Sequence, residues 1–502
     1  MMVLFLNLLR IGVLLLGIAS SAAQAKDQDV GFCCKIIESH IPDRISYPKS
    51  NIYDESLSSY YSGQESELQP ACIFSPTHAT EVSVFVKLIT SKCCGSSTSP
   101  QFAVRSGGHS IWSGAANIEG GITVDMRSMN SLVLSHDKKV ASLGAGGIWS
   151  EIYEQLVPYN LTVMGGRVAG IGVGGLATGG GISYLSRQHG WVCDNIYRYE
   201  VVLASGEIIH ATASSHSDLW LALKGGSNNF GIVTRIDVPT WSLGQMWGGG
   251  LSFNYTREVL DAHAQAFSNF MDPINFDDAA DMGVALVFQN PGPVYVVGNS
   301  LFYVKPVVNP PVYQPFTSIP NPIGSSLGLT NVSALTSEAG GTLPPGITRA
   351  IDIVCSFKNS DASLYSQLFQ TWEDGTKDLV DVEGLQLVLL IQPHPVTNGT
   401  NSLGLRPGEK DLVLSVLTAA YANKEDDDRV QEGMQAIVDR HNEITRDRGL
   451  YIPFQYLNYA DKSQDPIGSY GEDIKARLQA VSRRYDPHGL FQTGVPGGFK
   501  LF

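Results

Sequence analysis

Residues 165–181 read GGRVAGIGVGGLATGGG, nine glycines in seventeen positions. Each glycine weakens a helix or strand by roughly 0.5–1 kcal/mol relative to alanine, so this stretch is poor material for a long regular element. Such a tract is retained where the backbone must pass close to something. A large flat ligand with phosphates, cradled by backbone N–H groups, is the occupant its chemistry suits. Part of the tract, Gly172 to Ala177, matches the G-x-G-x-x-A dinucleotide fingerprint, with acidic residues about twenty positions further on. That fingerprint should open a helix, whereas Thr178-Gly179-Gly180-Gly181 is expected to break one at its first turn. Classical dinucleotide binding is therefore disfavoured.

A second glycine-bearing loop lies some sixty residues earlier, where residues 103–110 read AVRSGGHS. Gly107 and Gly108 allow close passage, and His109 is presented between serines. Strand-like segments flank the loop, 102–104 before it and 121–125 after it. Alone, Gly-Gly-His is a tight turn with a surface histidine. With the distant tract it becomes one wall of a candidate site.

The 502 residues are too many for one compact core, so two or three domains are expected. Residues 1–25 carry one base (Arg10), an apolar run 11–18 and small residues ending at Ala25, the three parts of a secretory signal peptide. No later run is apolar and long enough to span a bilayer, so a soluble exported protein is expected. Sequons at Asn160, Asn254, Asn331 and Asn398 agree with export. The net charge of −14 becomes −15 without Arg10, which argues against nucleic acid and anionic membranes as partners. The seven cysteines show no metal spacing, so no metal is expected. Cross-links among Cys33/Cys34, Cys72 and Cys93/Cys94 are plausible, with the pairing open.

In order, residues 26–65 read as an irregular polar lead-in. From 66 to 241, short strands and helices alternate: a helix over 79–91, another over 149–156, a hairpin over 199–210 turning at Ser205-Gly206, a helix over 218–224 and a strand over 230–238. From 242 to 450, alternating segments (250–255, 294–304, 386–391, 412–421) suggest an antiparallel sheet, with helices over 257–271, 362–374 and 426–445 on one face. Residues 306–329 read as a loop over a pocket. The tail 451–502 contains Tyr456, Asn458-Tyr459 and Tyr485-Asp486-Pro487. The fold class is α+β.

Taken together, the GGHS loop, the glycine tract, Phe230 to Thr234, Asn458 to Asp461 and Tyr485 to Pro487 occur in an order that identifies a family. Over residues 66–502 the chain resembles the FAD-linked oxidoreductases with a p-cresol-methylhydroxylase-type FAD domain, in the berberine-bridge-enzyme-like branch of the vanillyl-alcohol-oxidase superfamily, as a secreted fungal-type member. The resemblance implies a two-lobed FAD-binding domain, an antiparallel-sheet substrate domain roofing the flavin, and a C-terminal segment returning to the FAD domain. It implies FAD bonded through His109. The pyrophosphate loop falls on Arg105, Ser106, Gly107, Gly108, His109 and Ser110. The second cradle falls on Ile171, Gly172, Gly174, Gly175, Gly179, Gly180 and Gly181, with Asp194 beside it. Gly231, Ile232 and Val233 fall on the adenine side, and Asn458 and Tyr459 on the flavin.

Three departures from the family pattern stand out. Val168 occupies the place where many relatives carry a cysteine for a second link, so one covalent tether is expected. Leu176 replaces a frequent histidine. Ile171 stands at the oxygen-gating position, which leaves the acceptor open between dioxygen and another oxidant.

A flavin enzyme needs a base for the proton that accompanies hydride loss. Tyr456, expected on a strand facing the ring, and Gln392, with His394 behind it, are the candidate catalytic and substrate-orienting groups. The expected reaction is oxidation of an alcohol, hemiacetal or activated C–H/C–N bond of a small molecule, by a monomer. The substrate is a specialised metabolite or, alternatively, an extracellular oligosaccharide. A flavin-free binding protein is the non-enzyme alternative.

Overall fold

The computed structural model describes residues 30–91, 100–340, 343–344 and 347–502. The signal peptide expected over 1–25, and Cys93 and Cys94, lie outside the described residues.

The lead-in differs from expectation. It is helical over 30–40, Asn51–Ser58 and Gly63–Ser66. Tyr53, Leu57 and Tyr60 pack around Ile73 in a small satellite core, which ties down a segment whose composition reads as polar. A disulfide joins Cys34 to Cys72 and fastens the lead-in to the first sheet. Cys33 is disulfide-bonded as well, while Cys193 and Cys355 are buried free thiols.

The first lobe is a four-stranded sheet ordered Ile45–Ser46, Cys72–Phe74, Ile122–Asp125, Phe102–Arg105. Its last three strands are parallel. Helix Ala79–Thr90 buries Val82, Phe85, Val86 and Ile89 against it, the stripe that the spacing of those residues foretells. Phe85 stacks on Phe74 at 5.0 Å and meets Phe102 edge-on at 5.4 Å. This packing fixes the end of strand Phe102–Arg105, from which the GGHS loop departs.

The second lobe is a five-stranded antiparallel sheet built on strand Ile232–Pro239, flanked by Val140–Gly144 and Arg198–Val202. Helix Trp149–Leu156 buries Trp149, Ile152, Tyr153 and Leu156. Within the glycine tract a helix does form, Val173–Gly179, and it ends where Gly180 turns to φ +125°. The run of three glycines thus stops the helix after two turns rather than at the first.

The second domain is a nine-stranded antiparallel sheet. Its strands Ala280–Gln289, in the middle of the sheet, and Arg349–Lys358, one in from the edge, lack clean alternation and read poorly from sequence. One face is fully buried, through Val284, Leu286, Leu389, Ile391, Ile353 and Leu417. It is covered by helices Arg257–Met271, Ala362–Thr376 and Asp427–Asp447. His263 of the first helix approaches Asn299 to 2.9 Å on that face. The opposite face faces the glycine tract. The segment expected as a loop over 306–329 instead adds short edge strands, Pro322–Ser325 and Gly328–Thr330, paired with Met246–Asn254. Hydrogen bonds exchanged between Gly250 and Ser326 hold them there.

The C-terminal segment lies against the first domain. Asn229 Nδ2 donates to the Phe499 carbonyl at 2.9 Å, Tyr470 Oη to the Gly225 carbonyl at 3.1 Å, and Tyr485 Oη to Asp218 at 2.9 Å. Among the described residues no helix is long and apolar enough to cross a membrane.

Candidate active site

The two glycine loops meet backbone to backbone. A Cβ added to Gly172 would sit 2.2 Å from the Gly107 nitrogen, and one on Gly107 2.5 Å from the Gly172 nitrogen. Only glycine fits at either place. Ser106 welds the contact: its hydroxyl donates to the Ala145 carbonyl at 2.6 Å and accepts from the Gly174 N–H at 3.1 Å. Among the described residues the N–H groups of Gly107, Gly108 and Ser110 have no protein acceptor. Gly108, at φ +76°, helps turn this run of donors one way, a concavity suited to an anion. Arg105 contributes backbone only. Its guanidinium points away, donating to the Ser56 and Ser59 carbonyls at 2.6 and 2.9 Å and lying over the Tyr60 ring.

His109 is held by the lead-in. Its ring stacks on Tyr61, centroids 4.0 Å apart, and the Tyr61 N–H donates to the Gly108 carbonyl at 3.0 Å. Burial lowers the His109 pKa to about 4, so the imidazole is neutral near pH 7. Its Nε2 is buried without a partner.

The far end of the tract is set by the C-terminal segment. A Cβ on Gly179 would fall 2.1 Å from Asn458 Oδ1, and one on Gly180 3.1 Å from the Tyr456 ring. The Gly181 N–H donates to Tyr456 Oη at 3.0 Å, and Asn458 Nδ2 donates to the same oxygen at 2.9 Å. Tyr456 is not on a strand. It lies between the short strand Tyr451–Ile452 and the turn Leu457–Tyr459, packed on Trp191 at 4.9 Å and on Tyr459. Burial drives its hydroxyl pKa far above the ordinary tyrosine value, so it stays protonated near neutral pH and offers no phenolate to take a proton. By contrast, Gly175 is exposed, with nothing within 4 Å of an added Cβ.

The other expected site residues fall as follows. Ile171 is half-buried and gives its carbonyl to the Trp149 N–H at 3.0 Å. Asp194 is a structural link: it accepts from the Trp191 N–H at 3.0 Å, Thr397 Oγ1 at 3.0 Å and Asn401 Nδ2 at 2.6 Å, tying the tract's neighbour to loop 397–401. Gly231 is pressed against Val201 and Val202, Ile232 pairs with Val202, and Val233 is half-buried. His394 is enclosed by Trp191 and Phe454, and burial lowers its pKa to about 3.

Strand register decides what looks onto the tract. Directly opposed residues of an antiparallel pair share a face. Asp352 opposes Thr418, which opposes Val388. Leu390 opposes Ala285, which opposes Gly298. Gln392 and Asp281, by parity with Leu390 and Ala285, lie on this same side. Thr418 Oγ1 donates to Asp352 Oδ1 at 2.5 Å. Burial, with Asp461 pushing the same way, raises the Asp352 pKa to about 6. Asp352 also acts on Tyr61, whose hydroxyl burial and this carboxylate push up to about 12. From the tract, Arg167 reaches up to this face, donating from Nη2 to Gln392 Oε1 at 2.5 Å and lying 3.5 Å from Asp281. Asp352 and Arg167 were both missed from sequence. An aspartate inside the mainly apolar stretch Ala350 to Cys355 was the available signal.

The described FAD binding domain family matches residues 70–212 of this chain. The "FAD-dependent monooxygenase tpcD" of Cochliobolus heterostrophus is 35% identical over 481 residues, covering 92% of this chain and 91% of that protein. This chain belongs to the berberine-bridge-enzyme-like FAD-linked oxidoreductases. The "Bifunctional solanapyrone synthase" of Alternaria solani is 30% identical, covering 94% and 89%. BBE-like 1 of Physcomitrella patens, at 19% identity, shares the fold with a TM-score of 0.73, covering 93% of this chain and 99% of that one. As a member of this family the protein is an FAD-dependent oxidoreductase. Its own residues fit the cofactor: unpaired N–H groups for a pyrophosphate, open space at Gly175, and a neutral imidazole with a free nitrogen.

Proposed function

We propose that this protein oxidises a specialised small molecule by removing a hydride from an alcohol, hemiacetal or activated C–H/C–N centre, with dioxygen as the final electron acceptor. The two-electron chemistry belongs to FAD when bound. The loop Arg105 to Ser110 would hold its pyrophosphate through backbone donors, His109 would tether it covalently, and Ile171 to Gly181 would form the second wall. Gly231 to Val233 would meet the adenine side, and Asn458 and Tyr459 the ring system.

The observation that carries the reading is Asp352. Its carboxylate stands on the open sheet face, near the Tyr61–His109 stack, with a pKa of about 6. A carboxylate poised there is ionised near neutral pH and still basic enough to take the substrate proton. It suits that task better than Tyr456, whose oxygen already accepts two hydrogen bonds and orders the tract. Gln392, its Nε2 buried without a partner, would orient the substrate. Export through residues 1–25 belongs to the same reading and is supported by the Cys34–Cys72 disulfide.

The test is anaerobic mixing of the yellow protein with sugars, aromatic alcohols and polyketide or alkaloid intermediates. Bleaching by a non-sugar, followed by one peroxide per product on readmitting air, is expected. Bleaching by sugars alone would assign the oligosaccharide reading instead. The relatives named monooxygenases supply a competing outcome, in which label from heavy dioxygen enters the product and no peroxide accumulates.

A further inference from the structure

We propose that Arg167 is the substrate anchor and that it selects a flat molecule carrying an anionic oxygen, an enolate, phenolate or carboxylate, over a neutral sugar. The proposal rests on the oxidoreductase reading above and names the substrate class of that same site.

The Arg167 side chain is only 12% exposed and reaches the open sheet face. It lies against a carboxylate that is itself divided between two guanidinium groups. Among the described residues Asp281 is the carboxylate within ion-pair distance of it, and that carboxylate is shared with Arg187, whose electrostatic neighbours also include it. The other groups that act on the Arg167 side chain are neutral: Gln392 Oε1, which accepts its hydrogen bond, and the Tyr459 and Tyr184 hydroxyls nearby. A guanidinium carries five N–H donors in a planar fork, so these partners leave donors for a ligand. Gln392, 1% exposed, presents an Nε2 with no acceptor. A buried donor without a partner is costly, and it stands beside a cation with donors to spare. Both deficits are met by one oxygen acceptor with negative charge. Tyr184 Oη donates to the Arg167 carbonyl at 2.9 Å, which fixes the backbone from which the side chain reaches.

The surface around this pair has a matching shape. Gly283, Ala285 and Gly298 share the face of Gln392, and half-buried Val388 and Leu390 flank them. Small residues beside aliphatic ones make a low apolar roof, suited to a planar conjugated body. A sugar ring would need several neutral donors and acceptors across that roof, where glycine and alanine offer none from their side chains.

The probe is dimedone, a cyclic 1,3-dione present as its enolate near neutral pH, compared with its neutral enol methyl ether. Each is titrated into the air-oxidised flavin-loaded protein and followed by perturbation of the visible flavin spectrum, with no turnover required. The enolate is expected to bind at least tenfold more tightly than the ether in the wild type. Arg167→Gln should weaken enolate binding at least tenfold and leave the ether unchanged, and Arg167→Lys should restore part of the loss. Equal binding of the two probes, stronger binding of the ether, no enolate binding, or an Arg167→Gln variant that binds the enolate normally would overturn the anchor. The wild-type comparison stands even if the variants fail to take up flavin. A protein that is bleached by substrate yet ignores the charge of the probe refutes the anchor alone. One that binds the enolate yet is bleached by nothing refutes the oxidoreductase reading of this site alone.

Discussion

The Tyr61 ring lies stacked on the His109 imidazole, centroids 4.0 Å apart and planes 15° from parallel. The stack joins two parts of the chain with different jobs. Tyr61 comes from the lead-in that the Cys34–Cys72 disulfide anchors, and His109 from the loop that faces the tract. Holding a neutral imidazole in one orientation is what a covalent tether to flavin requires. His109→Ala should therefore leave the acid-precipitated protein colourless. Tyr61→Ala should lower the covalently retained fraction several-fold, while Tyr61→Phe, which keeps the ring, should preserve it. Flavin fluorescence of the denatured band measures both.

Two glycines of the tract should respond oppositely. At Gly179 an added methyl falls 2.1 Å from Asn458 Oδ1, so Gly179→Ala should cost about 1–3 kcal/mol and lower the melting temperature. At Gly175 nothing stands within 4 Å, and the position is in a helix, so Gly175→Ala should leave stability unchanged or raise it by about 0.5–1 kcal/mol. If that open space receives the cofactor, as proposed, the same Gly175→Ala variant should retain less flavin. Thermal melts and the flavin-to-protein absorbance ratio separate the two effects.

For Asp352 the sign follows from its role. A base works when deprotonated, so kcat/KM should rise with pH through about 6 and level above it. Asp352→Asn should lower kcat/KM by about 10²- to 10⁴-fold and abolish that acid limb, with flavin content unchanged. A normal pH profile in this variant would remove Asp352 from the mechanism.

Tyr456→Phe deletes the oxygen that receives the Gly181 N–H and Asn458 Nδ2. Loss of a buried acceptor costs about 1–3 kcal/mol, so stability should drop by that order. The rate should fall far less than in Asp352→Asn. A rate loss as large as that of Asp352→Asn would return the base to Tyr456.

The Cys34–Cys72 bridge spans 38 residues, and closing a loop of that length is worth about 4 kcal/mol in the chain-entropy account. Cys34→Ser should lower the melting temperature, and covalent flavin retention with it, because Tyr61 lies in the loop that this bridge closes.

Much of this protein is written locally. Helices Trp149–Leu156 and Arg257–Met271 sit where their apolar periodicity places them, because each buries one face and that face repeats at the helical period, while strand Leu412–Tyr421 is legible as an apolar run buried on both faces. Helix Asn51–Ser58 of the lead-in escaped because it is held by Tyr53 and Leu57, with Tyr60, against Ile73 rather than by a long stripe. Strand Arg349–Lys358 escaped because it is buried on both faces, so its apolar and polar residues do not alternate.

The candidate site divides the same way. The glycines of both loops and His109 were legible, since close backbone approach demands glycine wherever the chain comes from. That Gly107 abuts Gly172, that Arg167 reaches Gln392, and that Asp352 stands near Tyr61 depend on sheet order and register. Each contact joins residues between 65 and 291 positions apart in the sequence, and one-residue slips of register would turn Asp352 and Gln392 into the helical layer. Sequence determined that a flat phosphate-bearing cofactor is held, through backbone requirements that are local. Only the tertiary structure decided which carboxylate and which cation share the sheet face turned to the glycine tract, because a sheet assigns its faces by pairing that no local stretch contains.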